Sequence, residues 1–199
     1  MARRKSRRTN QPARGPRHFL SRSPEEILEL AKALRLSGDE DPRSRAQDYT
    51  EAADYYAMAG DETTAEELYR AAIDDGGFVV GSAHAYFAGF LFERNRDEEA
   101  LAVIEAARKL RLEDPDMFVI VAETLQEHGY HREAAAWATR GLVALFDSLA
   151  GITAEDLDED PDGAFLATER KRARQAAGLP ADHIDDLVIA NTGYDDQAG

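Results

Sequence analysis

Cysteine is absent from the 199 residues. Its absence excludes a disulfide framework, a thiolate zinc site and a cysteine nucleophile. It fits a reducing compartment, so a cytoplasmic location is expected. Long apolar runs are missing as well. No window approaches the roughly 18 consecutive apolar residues that a membrane span needs, and no membrane partner is expected. The first residues are basic, but no apolar stretch or small-residue cleavage site follows, so Arg3-Arg4 does not read as a secretion signal. No window alternates apolar and polar residues with the period of a strand. No glycine-rich phosphate loop follows a strand, and no serine sits in a Gly-x-Ser-x-Gly setting. The sequence therefore offers no catalytic centre, and neither an enzyme nor a cofactor is expected.

The charge is abundant and unevenly spread. The net charge is −15. Residues 1–22 hold eight basic side chains (among them Arg3, Arg4, Lys5, Arg7 and Arg8) and no acid. The remaining 16 of the 24 basic residues face all 39 acids, a net of −23. This split predicts a basic arm on an acidic body. The arm has no hydrophobic periodicity and contains Gln11-Pro12 and Gly15-Pro16, so it is expected to be disordered.

Helix signals begin at Ser23-Pro24-Glu25-Glu26, where a capping serine precedes proline at the first helical position and Glu26 completes a capping box. Ile27, Leu30, Ala31 and Leu34 recur at helical spacing. Ser37-Gly38 reads as the stop, with Gly38 as a left-handed cap. From about residue 43 to 148 the pattern is helix, short turn, helix, repeated. Breaks near Gly60, Asn95 and Gly129 are 35 and 34 residues apart, the period of a helical solenoid.

The residues that carry this period resemble the tetratricopeptide repeat. A first unit, 46–79, places Tyr49, Ala52, Ala53 and Tyr56 on one helix and Ala65, Tyr69 and Ala72 on the next. A second, 81–114, reads His84, Phe87, Ala88, Leu91, Asn95, Ala100, Ile104 and Ala107. A third, 115–148, reads Phe118, Val121, Ala122, Leu125, Gly129, Ala134, Ala138 and Gly141. The second unit lacks the turn glycine, and the family's closing proline is missing at Gly77 and Leu112. The resemblance implies an all-α fold, an α-α solenoid of three hairpins over 23–148, with helix 24–36 as a cap. Residues 149–163 read as an acidic linker, 164–180 as a C-terminal helix, and 181–199 as a loosely held acidic tail. The Arg-rich start and the run Glu169–Pro180 are also similar to tetratricopeptide proteins of Ala/Arg-rich, high-GC bacterial lineages. Some of those carry a zinc motif like the C-terminus of the SecA translocase motor. That motif needs cysteines, so the zinc function does not carry over.

The family resemblance implies a protein or peptide partner lying along the concave face made by the first helix of each hairpin. Projected onto this chain, that face carries Gln47, Thr50, Asp54, Ala57, Ser82, Ala85, Gly89, Phe92, Glu93, Asp116, Val119, Glu123, Gln126 and Glu127. It has several acids and no Lys or Arg, which favours a basic or apolar segment over a carboxylate. An acidic protein also has acidic faces that bind nothing. The arm offers an alternative, since Arg3, Arg4, Lys5, Arg7 and Arg8 suit phosphates of nucleic acid or a ribosome. With Phe19 as its one large aromatic, base stacking there is nearly out of reach. The arm could also fold back onto the groove and compete with partners.

Two metal patterns remain. Asp158, Asp160, Asp162 and Glu169, with Gly163, match the spacing of a calcium-binding EF-hand loop. Pro161 and Leu166 disagree with it, and an acid-rich linker reaches the same pattern by chance. His128 and His131 flank the third turn, where surface histidines are the ordinary case. The basic run Arg170–Arg174 is expected to pair with the acidic linker before it.

Overall fold

The computed structural model describes residues 22–109 and 115–191. Among them stand ten α-helices and one short 3-10 turn, and no strand. The helices are α1 (Pro24–Glu40), α2 (Arg45–Met58), α3 (Glu62–Asp75), α4 (Ala83–Phe92), α5 (Asp97–Ala107), α6 (Pro115–Glu127), α7 (His131–Phe146), α8 (Ala154–Glu159), α9 (Pro161–Ala176) and α10 (His183–Asn191). They pack as neighbours: α2 on α1 and α3, α4 on α3 and α5, α6 on α7, with α2, α4 and α6 also touching in series. The result is an all-α, solenoid-like stack of hairpins closed by α9, which lies across α6 and α7.

The three hairpin turns are built alike. Gly60, Asn95 and Gly129 all adopt the left-handed conformation, with φ of 85°, 57° and 84°. Each turn carries the same pair of backbone bonds: Gly60 N to Ala57 O and Asp61 N to Tyr56 O, Asn95 N to Phe92 O and Arg96 N to Leu91 O, Gly129 N to Gln126 O and Tyr130 N to Leu125 O. This is the Schellman closure, and it satisfies carbonyls that a helix end otherwise leaves open. Asparagine serves in the second turn because its short polar side chain tolerates that conformation.

Small residues recur where helices meet. Ala53, Ala88 and Ala122 on the first helices are buried, as are Ala65, Ala100 and Ala134 on the second. Ala72, Ala107 and Gly141 repeat the pattern near the ends. A Cβ on Gly141 would stand 2.8 Å from both Leu166 Cδ1 and Phe118 Cβ, so only glycine lets α7 approach α9 and α6. Between the small positions Tyr69, Phe87, Leu91, Val121 and Leu125 fill the core.

Both ends differ from the sequence expectation. The capping box at Ser23 forms, with Glu26 N donating to Ser23 Oγ at 3.2 Å and Ser23 N to Glu26 Oε2 at 2.7 Å. The helix, however, runs through Gly38 to Glu40. Gly38 is a close-approach site rather than a stop: a Cβ there would meet the Tyr49 ring at 2.7 Å. Residues 149–163 do not form a bare linker. Leu149–Gly151 makes the 3-10 turn, and a Thr153–Asp156 capping box starts α8. Ile152 and Leu157 are buried, which is why the acidic segment folds down. The C-terminal helix begins at Pro161, and 183–191 form α10 rather than a loose tail. Ile184 and Val188 bury against the core.

Charge anchors α10. Arg170, with its side chain 4% exposed, donates to Thr139 Oγ1 at 2.8 Å, to Asp182 at 3.0 and 2.6 Å, and to Asp185 at 3.4 Å. Arg174 adds Asp185 at 2.9 Å and Asp182 at 3.2 Å. Arg170 and Arg174 therefore pair with acids after them in the chain, and Arg172 with Glu169 on its own helix.

Candidate functional site

Helices α2, α4 and α6 line up along one side of the stack, and between them lies a cavity of about 620 Å³. Its apolar surface comes from Tyr55, Met58, Tyr86, Phe90 and Ile120, and its acids are Glu51, Asp54, Glu93 and Glu127. The cavity reaches the C-terminal ends of the three helices, where Met58, Arg94 and His128 stand beside the hairpin turns.

Local chemistry sets each group. Asp54 accepts a hydrogen bond from the Tyr69 hydroxyl. Burial pushes the Asp54 carboxyl up to about 6, against that hydrogen bond and with help from the charges of Glu51 and Glu93. Burial, with the charge of Asp54 next, likewise raises the Tyr69 phenol. Arg94 lies over the Phe90 ring with its guanidinium carbon 3.8 Å from the centroid. It also donates to Phe90 O at 3.0 Å and pairs with Glu93 at 3.2 Å and Glu62 at 3.1 Å. Its charge is thus largely answered from within the protein, and the net balance of the cavity stays acidic.

Of the groove residues expected from sequence, Asp54, Glu93 and Glu127 line the cavity, with Ala57, Ala85 and Gly89 beside them. The others stand elsewhere. Thr50 is buried and its hydroxyl donates to Ala46 O within its own helix. Ser82 caps α4 by accepting from His84 N. Gln47 holds the α3–α4 loop, accepting from Val80 N at 2.8 Å. Phe92 is buried, stacks on His128 at 4.7 Å and meets the tilted Tyr130 ring at 5.3 Å. Asp116, Val119, Glu123 and Gln126 are half-buried on α6. Burial and the neighbouring Glu169 raise the Glu123 carboxyl. The projection missed Glu51, Tyr55, Met58, Tyr86, Phe90, Ile120 and Thr124, because the stripe facing the cavity is turned about one residue around each helix. It also missed Arg94, which the sequence places in a turn and the fold turns back onto α4.

The calcium pattern is corrected by the fold. Asp160 is the N-cap of α9 and accepts from Asp162 N at 3.1 Å and Gly163 N at 3.0 Å. Asp158 stands on α8 and Glu169 two turns into α9, buried and bound to Arg172 at 2.6 Å. Helix replaces the loop that would have wrapped an ion. Among the described residues no group of three or more His, Asp or Glu is placed to hold a metal. His128 instead stacks on Phe92, and Trp137 packs on Phe118 at 6.1 Å under the Arg140 guanidinium. Arg3, Arg4, Lys5, Arg7 and Arg8 lie outside the described residues. No described helix is long and apolar enough to cross a membrane. No family model matches the chain, and neither a curated protein nor a solved structure is found similar to it.

Proposed function

We propose that the chain is a non-catalytic, cytoplasmic protein-binding adaptor of the tetratricopeptide type, and that the cavity between α2, α4 and α6 takes a segment of another protein that is both basic and apolar. One observation carries the reading: a 620 Å³ concavity with an aromatic and aliphatic floor and four acids, Glu51, Asp54, Glu93 and Glu127. An Arg or Lys side chain lays its aliphatic stem on such a floor and presents its cation to the carboxylates. Cavities of this size and lining are the usual form of a binding site.

The test is affinity for a fluorescent Arg/Leu-rich peptide, with single-stranded nucleic acid as comparison. Micromolar binding to the peptide, lost in Glu93→Arg, supports the adaptor. Binding to nucleic acid alone, with a steep loss on adding salt, would instead assign the function to Arg3, Arg4, Lys5, Arg7 and Arg8.

A further inference from the structure

We propose that the chain's own residues 1–21 occupy the α2–α4–α6 cavity when no partner is bound, so that the protein is self-blocked. The inference rests on the cavity being a site for basic, apolar segments. Three observations point to this occupant.

The first is charge. Residues 1–21 carry seven basic side chains and no acid, and Phe19-Leu20 adds an apolar pair. The cavity supplies four carboxylates around Tyr55, Tyr86 and Phe90. No other stretch of this length in the chain is basic and free of acids.

The second is where the segment attaches. Helix α1 runs antiparallel to α2. Its C-terminal end meets the start of α2, where Ser37 Oγ donates to Asp48 at 2.8 Å, the Tyr49 hydroxyl donates to Asp39 at 2.6 Å, and Gly38 packs on the Tyr49 ring. Farther back, Lys32 lies near Tyr56, close to the end of α2. The N-terminus of α1 therefore lies toward the Met58 end of α2, and Met58 is one of the residues that line the cavity.

The third is reach. A helix with its side chains is about 10–12 Å across. Twenty-one residues extend to about 70 Å at ~3.3 Å each. The segment can cross α2 and run the width of α2, α4 and α6 with length to spare. Because it is tethered, its effective concentration at the cavity is on the order of millimolar.

The test uses the full chain. With no native cysteine, Ala2→Cys gives a single site for a nitroxide spin label. In the isotope-labelled protein at low salt, amides of Ala57, Gly89 and Thr124 on the cavity side are expected to broaden. Those of Glu67, Ala102 and Ala136, exposed on α3, α5 and α7, are expected to stay sharp. The effect should fade in 0.5 M NaCl, where the Debye length falls to about 4 Å. Replacing Arg3, Arg4, Lys5, Arg7 and Arg8 by Ser should abolish it and tighten the Arg/Leu-rich peptide about tenfold, if the segment fills the cavity nine-tenths of the time. If the cavity amides stay sharp while the peptide still binds, self-blocking is wrong and the adaptor reading stands. If they stay sharp and the peptide does not bind, both are wrong. Broadening that persists when the spin label sits only on unlabelled molecules in a mixed sample would put the segment in a neighbouring copy, and would also overturn the proposal.

Discussion

Replacing Arg170 by Leu should cost about 3 kcal/mol of stability and release α10 first. The guanidinium is almost completely buried and serves Thr139, Asp182 and Asp185 at once. Removing one side of a buried ion pair costs roughly 3–5 kcal/mol, because the carboxylates left behind lose solvent and partner together. The low end applies here, since Arg174 still reaches both Asp185 and Asp182. For a domain of this size that cost lowers Tm by about 6–12 °C. Urea unfolding gives the free energy, and amide exchange in α10 gives its location. The pH dependence supplies a second readout. Hydrogen bonds from Arg170 hold the Asp182 carboxyl down at about 2, below the ordinary 3.8. A lowered pKa contributes stability that is present above pH 3.8 and is lost as pH falls through about 2. Arg170→Leu should flatten that acid limb. An exposed control, Lys32→Ala, removes only a surface pair and should leave the unfolding midpoint close to that of the parent. If Arg170→Leu stays within 1 kcal/mol of the parent, or α10 exchanges as slowly as before, the network does not hold the C-terminal end.

Other expectations follow from single sites. Asp54 has its carboxyl raised to about 6 by burial, so the folded state holds that proton more tightly than the unfolded one. Stability should therefore fall as pH rises from about 4 to 6, and Asp54→Asn, which still accepts from Tyr69, should remove that slope and unfold at higher urea at pH 7. Gly141→Ala should destabilise by about 1–3 kcal/mol through overpacking against Phe118 and Leu166. Gly60→Ala meets open space and should cost about 1 kcal/mol through its left-handed backbone alone. Raising the size further at each site, to Leu, should worsen the first and barely change the second, and thermal unfolding separates the two.

Much of the body of the fold was legible because its signals are local. Gly60, Asn95 and Gly129 mark the turns by conformational tolerance, and the alanines mark helix contacts by size. Those signals survive in one dimension. The misses share a different cause. Gly38 has the same residue type as a helix stop, yet it is fixed by the Tyr49 ring, eleven residues away. Residues 149–163 and 183–191 look like solvated acid, and only a few buried residues, Ile152, Leu157, Ile184 and Val188, together with Arg170, draw them onto the core. At the candidate site the three helices were identified, but the stripe on each was off by about one residue. Which side of an amphipathic helix faces a cavity depends on its rotation against two neighbours, and Ala-rich helices leave that rotation weakly specified.

Binding of a basic, apolar segment in the α2–α4–α6 cavity can be read out by amide chemical-shift mapping of the isotope-labelled full chain titrated with an Arg/Leu-rich peptide. Saturable shifts are expected, confined to residues 51–58, 85–94 and 120–128 and absent in Glu93→Arg. Shifts centred on α3, α5 and α7, or none at millimolar peptide, would contradict it.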